Sequence, residues 1–308
     1  KQKEYNYDFI DLRRISGMIY DPAEYSNING VSSIPCITFN CYNLPTGRAD
    51  LKSTITTDYF GDKAISIEEK FRYNSYNLID RVTYKMSNTD SITTIIRYPQ
   101  DFNVSPYSNM HLKKMINYPI EIVKKRNSKV INAELTTYIS GTNTYVPWQK
   151  YSLKFINPPT ADQFYTGTTN DYGIADLSVI KYDDKNNPIE VIDKNGLRKV
   201  YLWGYDKERL VAVISNVSYD QIIQLLPNLD TILTNKTFDP SAIDALRSKL
   251  QNAEITTYTY IRDGLMETSR DPRGMSTKYV YDNQGRLSTV KDDKGNPLFK
   301  YDYQYRNR

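Results

Sequence analysis

The sequence predicts a mainly β protein: an antiparallel meander of tandem hairpins in an extended sheet, with a small helical-hairpin insertion. Three observations predict it. A stretch of about 21 residues recurs toward the C-terminus, the pattern between turn signals alternates with period two, and 28 tyrosines stand against nine phenylalanines and two tryptophans. A tyrosine ring packs on a pleated, half-buried surface while its hydroxyl stays wet, which suits a thin sheet better than a globe.

Taken in order, residues 1–50 have weak periodicity and several breakers, including Asp21-Pro22 and Pro45-Thr46-Gly47, and read as loops with short strands. Cys36 and Cys41 are the two cysteines. They could bridge a tight hairpin, but along one straight strand they would point to opposite faces, so two free thiols is an equal reading. Leu51–Phe60 turns at Gly61-Asp62 into Lys63–Ile67, a hairpin, and further strands follow at Ile92–Tyr98, Ile120–Lys125, Val130–Tyr138 and Lys150–Ile156. Loops around Pro106 and Pro158-Pro159 separate them.

The repeat is clearest further on. Tyr182, Tyr260 and Tyr281 are each followed eleven residues later by aspartate (Asp193, Asp271, Asp292) and fourteen later by glycine (Gly196, Gly274, Gly295). Aspartate at the first position of a type I turn bonds nearby backbone, and glycine at the fourth takes the left-handed conformation that closes a bulged hairpin. A second turn, Asp282-Asn283-Gln284-Gly285, makes the chain reverse about every ten residues. Between turns, Ile255–Tyr260 and Ser276–Tyr281 alternate and superpose, which lines one face with tyrosine.

Between Val213 and Ile255 the period shifts toward that of helices. Ser218-Tyr219-Asp220-Gln221 is a capping box ahead of an apolar run that Pro227 ends, and Asp239-Pro240 opens a second helix with Ile243, Leu246 and Leu250 on one face. Eleven residues beyond Tyr205 lies Asn216, so the helices replace a hairpin tip. The insertion reads either as a cap covering a sheet edge or face, or as a projection that binds a partner.

The run Tyr279-x-Tyr281-Asp282-x-x-Gly285-Arg286-Leu287-x-x-Val290-x-Asp292-x-x-Gly295 resembles the RHS, or tyrosine–aspartate (YD), repeat, over about residues 179–305. With Tyr201-Leu202-Trp203-Gly204-Tyr205 the chain is similar to large cell-surface or secreted repeat proteins of Bacteroidetes. Upstream, Phe71-x-Tyr73-Asn74-x-x-Asn77-x-Ile79-x-x-Val82 keeps the offsets with asparagine for glycine. The resemblance implies hairpins added side by side into a curling sheet, which in some relatives encloses a C-terminal toxin, and an extracellular or envelope location. The chain ends in mid-repeat, so no such passenger is expected in it. Asp271-Pro272-Arg273-Gly274 is similar to the self-cleavage region of shell-forming relatives, but it sits in an ordinary repeat turn, and proteolysis is not carried over. The organisation is a degenerate β-repeat region over 1–178 and a repeat region over 179–308 with the insertion at 217–254.

Chemistry is sparse. The formal net charge of +4 is spread without a basic stripe, which argues against nucleic acid, and no apolar run is long enough to cross a membrane. The chain opens Lys-Gln-Lys-Glu-Tyr rather than with a signal sequence. One histidine, His111, leaves few metal or nucleophile designs, and no catalytic residue, metal or cofactor is assigned. Asp183-Asp184-Lys185-Asn186-Asn187 and Asp292-Asp293-Lys294-Gly295 lack a full calcium ligand set and read as turns. The function read from this is a non-catalytic scaffold or interaction module with a protein or glycan partner. One alternative is a carbohydrate-binding module using Trp148, Trp203, Tyr201 and Tyr205, although tyrosines at sheet period also read as cross-strand packing. The other is a carboxylate glycoside hydrolase with two acids in a cleft.

Overall fold

A computed structural model describes residues 1–21, 38–85, 90–154, 173–261 and 264–304. The chain is mostly β, with seventeen strands and a few short helices among the described residues, and the strand pairs within each unit are antiparallel. It divides into two compact units, Lys1–Ile96 with Lys124–Ile131, and Arg97–Val123 with Asn132–Arg308.

The first unit is built on β1 (Gln2–Asp21), β2 (Thr38–Phe60), β3 (Lys63–Tyr73), β4 (Ile79–Lys85) and β5 (Ser91–Arg97), each paired with the next in sequence. The first two correct the expectation of loops with short strands. They run 20 and 23 residues and pair from Gln2↔Thr57 to Asp21↔Thr38, with Pro45 opposite Arg14 inside the ladder. Local breakers do not register a partner strand that runs alongside for the whole length, and pairing overrides weak propensity. The turn at Gly61-Asp62 lies where the sequence places it, with Phe60 opposite Lys63. Cys36 lies outside the described residues, as does the side chain of Cys41.

In the second unit the tyrosines fill the interior around α1 (Tyr107–Leu112): Tyr98, Tyr107, Tyr138 and Tyr151 are all buried, beside Met110 and Leu135. His111 lies in the last turn of α1. The strands β6 (Glu121–Arg126) and β7 (Lys129–Ser140) follow, their stretch Lys124–Ile131 belonging to the first unit, then β8 (Tyr145–Lys154), β9 (Leu177–Tyr182), β10 (Pro188–Asp193), β11 (Arg198–Gly204) and β12 (Arg209–Ser215). The insertion comes next. It consists of four short helices rather than a two-helix hairpin: α2 (Tyr219–Leu225), α3 (Leu229–Thr234), α4 (Ser241–Asp244) and α5 (Leu246–Lys249). Ser218 caps α2 in a capping box with Gln221. The second stretch breaks at Ala245, between Ile243 and Leu246. Helices of four to seven residues do not hold in water alone, where roughly 12–15 are needed, so packing must hold these. The meander resumes with β13 (Glu254–Tyr260), β14 (Met266–Arg270), β15 (Ser276–Tyr281), β16 (Leu287–Lys291) and β17 (Pro297–Lys300).

That packing is visible in the register. Val200 opposes Ile214, Ile214 opposes Ile255, and Leu202 opposes Ala212, which gathers apolar side chains across β11, β12 and β13. Ile222, Leu229, Leu233, Ile243 and Leu246 of the insertion join them in one buried cluster.

Candidate functional site

Six turns among the described residues close in the same way, beginning at Asn74, Asp183, Asp193, Asp271, Asp282 and Asp292. In each, the first residue's backbone N–H donates to the carbonyl four residues on, and its own carbonyl accepts from the N–H three residues on. Its side-chain oxygen accepts from the N–H four residues on, at 2.7–3.1 Å. The fourth residue is left-handed: Asn77, Asn186, Gly196, Gly274, Gly285 and Gly295 have φ from 64° to 84°. Asparagine tolerates that region better than other side-chain-bearing residues, which is why Asn77 and Asn186 can stand where the other turns use glycine. The carboxylates of Asp183 and Asp292 are thus turned onto their own loops' amides. Among the described residues no three His, Cys, Asp or Glu side chains gather as a metal site.

The tyrosine before the turn has its own task. Tyr73, Tyr260 and Tyr281 donate their hydroxyls to the carbonyls of Leu51 (3.2 Å), Leu210 (2.8 Å) and Met266 (2.8 Å), each on the preceding strand, and Tyr182 does the same to Pro147. Tyr303 donates to Leu287 at 2.9 Å. Burial raises the Tyr73, Tyr260 and Tyr281 phenols and pushes Tyr182 up to about 12, so all stay protonated donors at neutral pH. Tyrosine therefore ties a strand end back to its neighbour while aspartate folds the chain into the next hairpin. Tyr281→Phe should cost about 0.5–1.5 kcal/mol in urea unfolding, one neutral hydrogen bond, and an unchanged midpoint would contradict the role.

The turn acids also set a pH dependence. The Arg286 backbone N–H holds Asp282 below the usual carboxylate range, and the Asn296 side-chain amide does so for Asp292. Because their folded pKa values are depressed, their contribution is complete above the unfolded value of about 4 and is lost as pH falls through the folded one. The urea midpoint should be level from pH 7 to about 5 and drop below about 4, less steeply in an Asp282→Asn, Asp292→Asn double variant. A wild-type midpoint that stays level to about pH 2 would contradict this reading.

The insertion is fastened to these turns. Lys207 bridges Asp184 Oδ1 at 2.9 Å and Asp230 Oδ1 of α3 at 3.1 Å, and the Asp184 carboxylate, with Asp230, holds the ammonium above its ordinary range. Tyr205, Asp206 and Lys207, in the connection between β11 and β12, are consecutively left-handed, with φ of 53°, 59° and 61°. Each costs roughly 1–2 kcal/mol in that region. The N–H groups of Asp206 and Lys207 donate to Asn235 and Leu233, at 3.2 and 3.4 Å, supplying donors to carbonyls at the end of α3 that have none within the helix.

Beside this connection lies an open cavity of about 560 Å³, lined by Tyr205, Glu208, Arg209, Phe238, Tyr260 and Glu267 among others. The Tyr205 ring is the hub, 5.8 Å from Phe238 and edge-on to Tyr260 at 5.9 Å. Its hydroxyl accepts from the Tyr260 backbone N–H at 2.9 Å and donates to the same residue's carbonyl at 3.2 Å. The Arg209 guanidinium lies 5.9 and 5.6 Å from the Tyr205 and Tyr260 rings. Gly264 makes room for it, since a Cβ there would stand 2.1 Å from Nη1.

Residues 262–297 match the family model for the RHS repeat. The chain carries an RHS repeat. The match spans the turns at Asp271, Asp282 and Asp292. No curated protein matches the sequence significantly. Among solved structures the chain is similar to the Photorhabdus luminescens Tc holotoxin pore, at 10% identity and a TM-score of 0.37, over 85% of this chain and 12% of that one. It is also similar to the TcdB2–TccC3–Cdc42 complex, at 10% identity and a TM-score of 0.37, over 82% of this chain and 13% of that one. The chain thus spans about an eighth of the length of the solved chains it matches.

The aromatic residues singled out by sequence do not form one row in this RHS-repeat chain. Tyr201 and Trp203 line a narrow crevice with Tyr219, Lys207, Asp230 and Leu233, where the Trp203 indole N–H donates to the Pro188 carbonyl at 2.8 Å. Tyr205 belongs to the larger cavity, and Trp148, 42% exposed on β8, lines neither. Sequence reading did not point to Phe238, Arg209 or Glu267. Only Tyr260 among the cavity's other aromatics carried a signal, as a repeat anchor.

Proposed function

We propose that this chain is a non-catalytic scaffold segment of an extracellular or envelope RHS-repeat protein, whose surfaces meet a protein or glycan partner. The observation that carries the reading is the use to which the repeat's recurring polar residues are put. The tyrosines stitch neighbouring strands and the aspartates close turns, so the residues that recur most are engaged with backbone. Among the described residues the carboxylates that depart clearly from the ordinary range, Asp184, Asp239, Asp282 and Asp292, are lowered, whereas a general acid for glycoside cleavage needs a raised one. The resemblance to RHS-repeat proteins supports the extracellular or envelope location.

Incubation with a panel of aryl glycosides and polysaccharides tests the reading. The expected result is no turnover beyond that of a Glu208→Gln, Glu267→Gln double variant, whose changes remove the two of the three lining acids that have no ion-pair partner among the described residues. Turnover abolished in that variant would replace the scaffold with a hydrolase.

A further inference from the structure

We propose that the cavity beside the β11–β12 connection is a binding site for a neutral pyranose sugar, held by the Phe238 ring and by a mixed set of donors and acceptors around it. The inference does not depend on the scaffold reading, since a scaffold with or without this site would be built the same way.

Size is the first support. A cavity of about 560 Å³ falls within the 300–1,000 Å³ of small-molecule sites, and this one is open to solvent on one side. Composition is the second. Phe238 and Tyr205 contribute apolar faces, tilted 49° to one another rather than stacked, so each closes a different side. A pyranose ring presents C–H groups on its faces and hydroxyls round its edge, which needs an apolar wall with polar groups at its margin.

Charge selects among ligands. Arg209 and Lys236 supply donors, and Glu208 and Glu267 supply acceptors, while the third lining acid, Asp206, is already paired with Lys185 at 3.1 Å. Among the described lining residues, two cations set against Glu208 and Glu267 leave no net charge to favour an anion or a cation. Carboxylates accept from sugar hydroxyls, and guanidinium and ammonium donate to them. Among the described residues Arg209 has no carboxylate partner, and the two tyrosine rings fix its guanidinium beside the cavity.

The backbone supplies the third support. Three successive left-handed residues that are not glycine are a costly way to join two strands, and such strain concentrates where a side chain must be held in one place. Here it sets Tyr205 between Phe238 and Tyr260. Gly204 is drawn in so closely that a Cβ would lie 2.8 Å from Val211 and 3.2 Å from Phe238, which seats the aromatic wall on the sheet.

The test is a glycan array carrying neutral and acidic oligosaccharides, followed by titration calorimetry with the best-bound neutral oligosaccharide. The whole chain, Phe238→Ala and Lys236→Ala would be compared, with circular dichroism to check that each variant is folded. The expected result is binding to neutral glycans, at least about tenfold weaker in Phe238→Ala, where the apolar wall is lost, and several-fold weaker in Lys236→Ala, an exposed change that leaves the fold alone. Binding to no neutral glycan, preference for acidic ones, or neutral binding unchanged in folded forms of both variants would overturn the proposal.

Discussion

Replacing Leu202 by alanine is expected to lower the stability of the second unit by about 2–5 kcal/mol, the largest effect of any single change considered. Leu202 is 1% exposed on β11, in the cluster where the sheet meets the insertion. Truncating it removes the transfer free energy of the lost atoms and leaves a cavity whose far wall is made of helices too short to stand without that contact. Urea unfolding followed by circular dichroism reads the change directly. Leu298→Ala, at a position 52% exposed on β17, is the control and should fall within about 0.5 kcal/mol of wild type. Equal effects at the two sites would mean that the insertion does not share a core with the sheet.

The second large effect is expected at Arg247, where α5 reaches the repeat turn at Asp271. Its Nη1 donates to the carbonyls of Ile255 (2.6 Å), Asp271 (2.8 Å) and Pro272 (3.2 Å), and its Nε to Asp244 Oδ1 (3.1 Å). Asp244 in turn accepts from Arg270 at 2.9 Å and from the Thr257 hydroxyl at 3.1 Å. The Arg247 and Asp244 side chains are 18% and 12% exposed. Arg247→Met keeps the aliphatic stem but removes the side-chain donor from three carbonyl oxygens, of which that of Asp271 keeps the Gly274 N–H, and leaves Asp244 with Arg270 as its cationic partner among the described residues. A loss of about 2–3 kcal/mol follows, below the full cost of an orphaned buried charge because Arg270 remains. Arg247→Lys should recover only part of it, since an ammonium cannot reproduce the guanidinium fork that serves turn and carboxylate together. Full recovery by lysine would show that charge alone matters.

Much of this architecture is legible in the sequence for a physical reason. An Asp-x-x-Gly turn is a local device: one side chain reaching its own backbone and one residue that must be left-handed, so four consecutive letters carry it. The capping box at Ser218 is legible for the same reason. The turn at Ile261 departs from the pattern, with isoleucine and not aspartate at its first position; among the described residues its closing bonds run from backbone to backbone, Ile261 N–H to the Leu265 carbonyl and Gly264 N–H to the Ile261 carbonyl. The long ribbon of β1 and β2 escapes detection because its order comes from a partner strand and not from its own alternation. Asn216 stands at the offset of a turn aspartate, yet what the insertion does there is decided by Ile222, Leu229 and Ile243 meeting the sheet.

The candidate site was the least legible part. Its rings come from positions 205, 238 and 260, on a hairpin tip, an insertion loop and a repeat anchor, and no periodicity links the three. The tryptophans drew attention as large aromatic residues, but the indole of Trp203 is bonded to a strand carbonyl. The anchor tyrosines belong to a set whose hydroxyls reach carbonyls on neighbouring strands, a use that letters alone do not distinguish from a binding row.

Native-state hydrogen exchange across residues 198–260 reads whether the insertion is built into the core of the scaffold. The amides of α2 and α3 that bond within their helices, such as Leu226 N–H to the Ile222 carbonyl and Ile232 N–H to the Asn228 carbonyl, are expected to open with free energies close to those of β11, β12 and β13. Helical amides that exchange several kcal/mol more easily than those strands would contradict it and make the insertion an independent projection on the sheet.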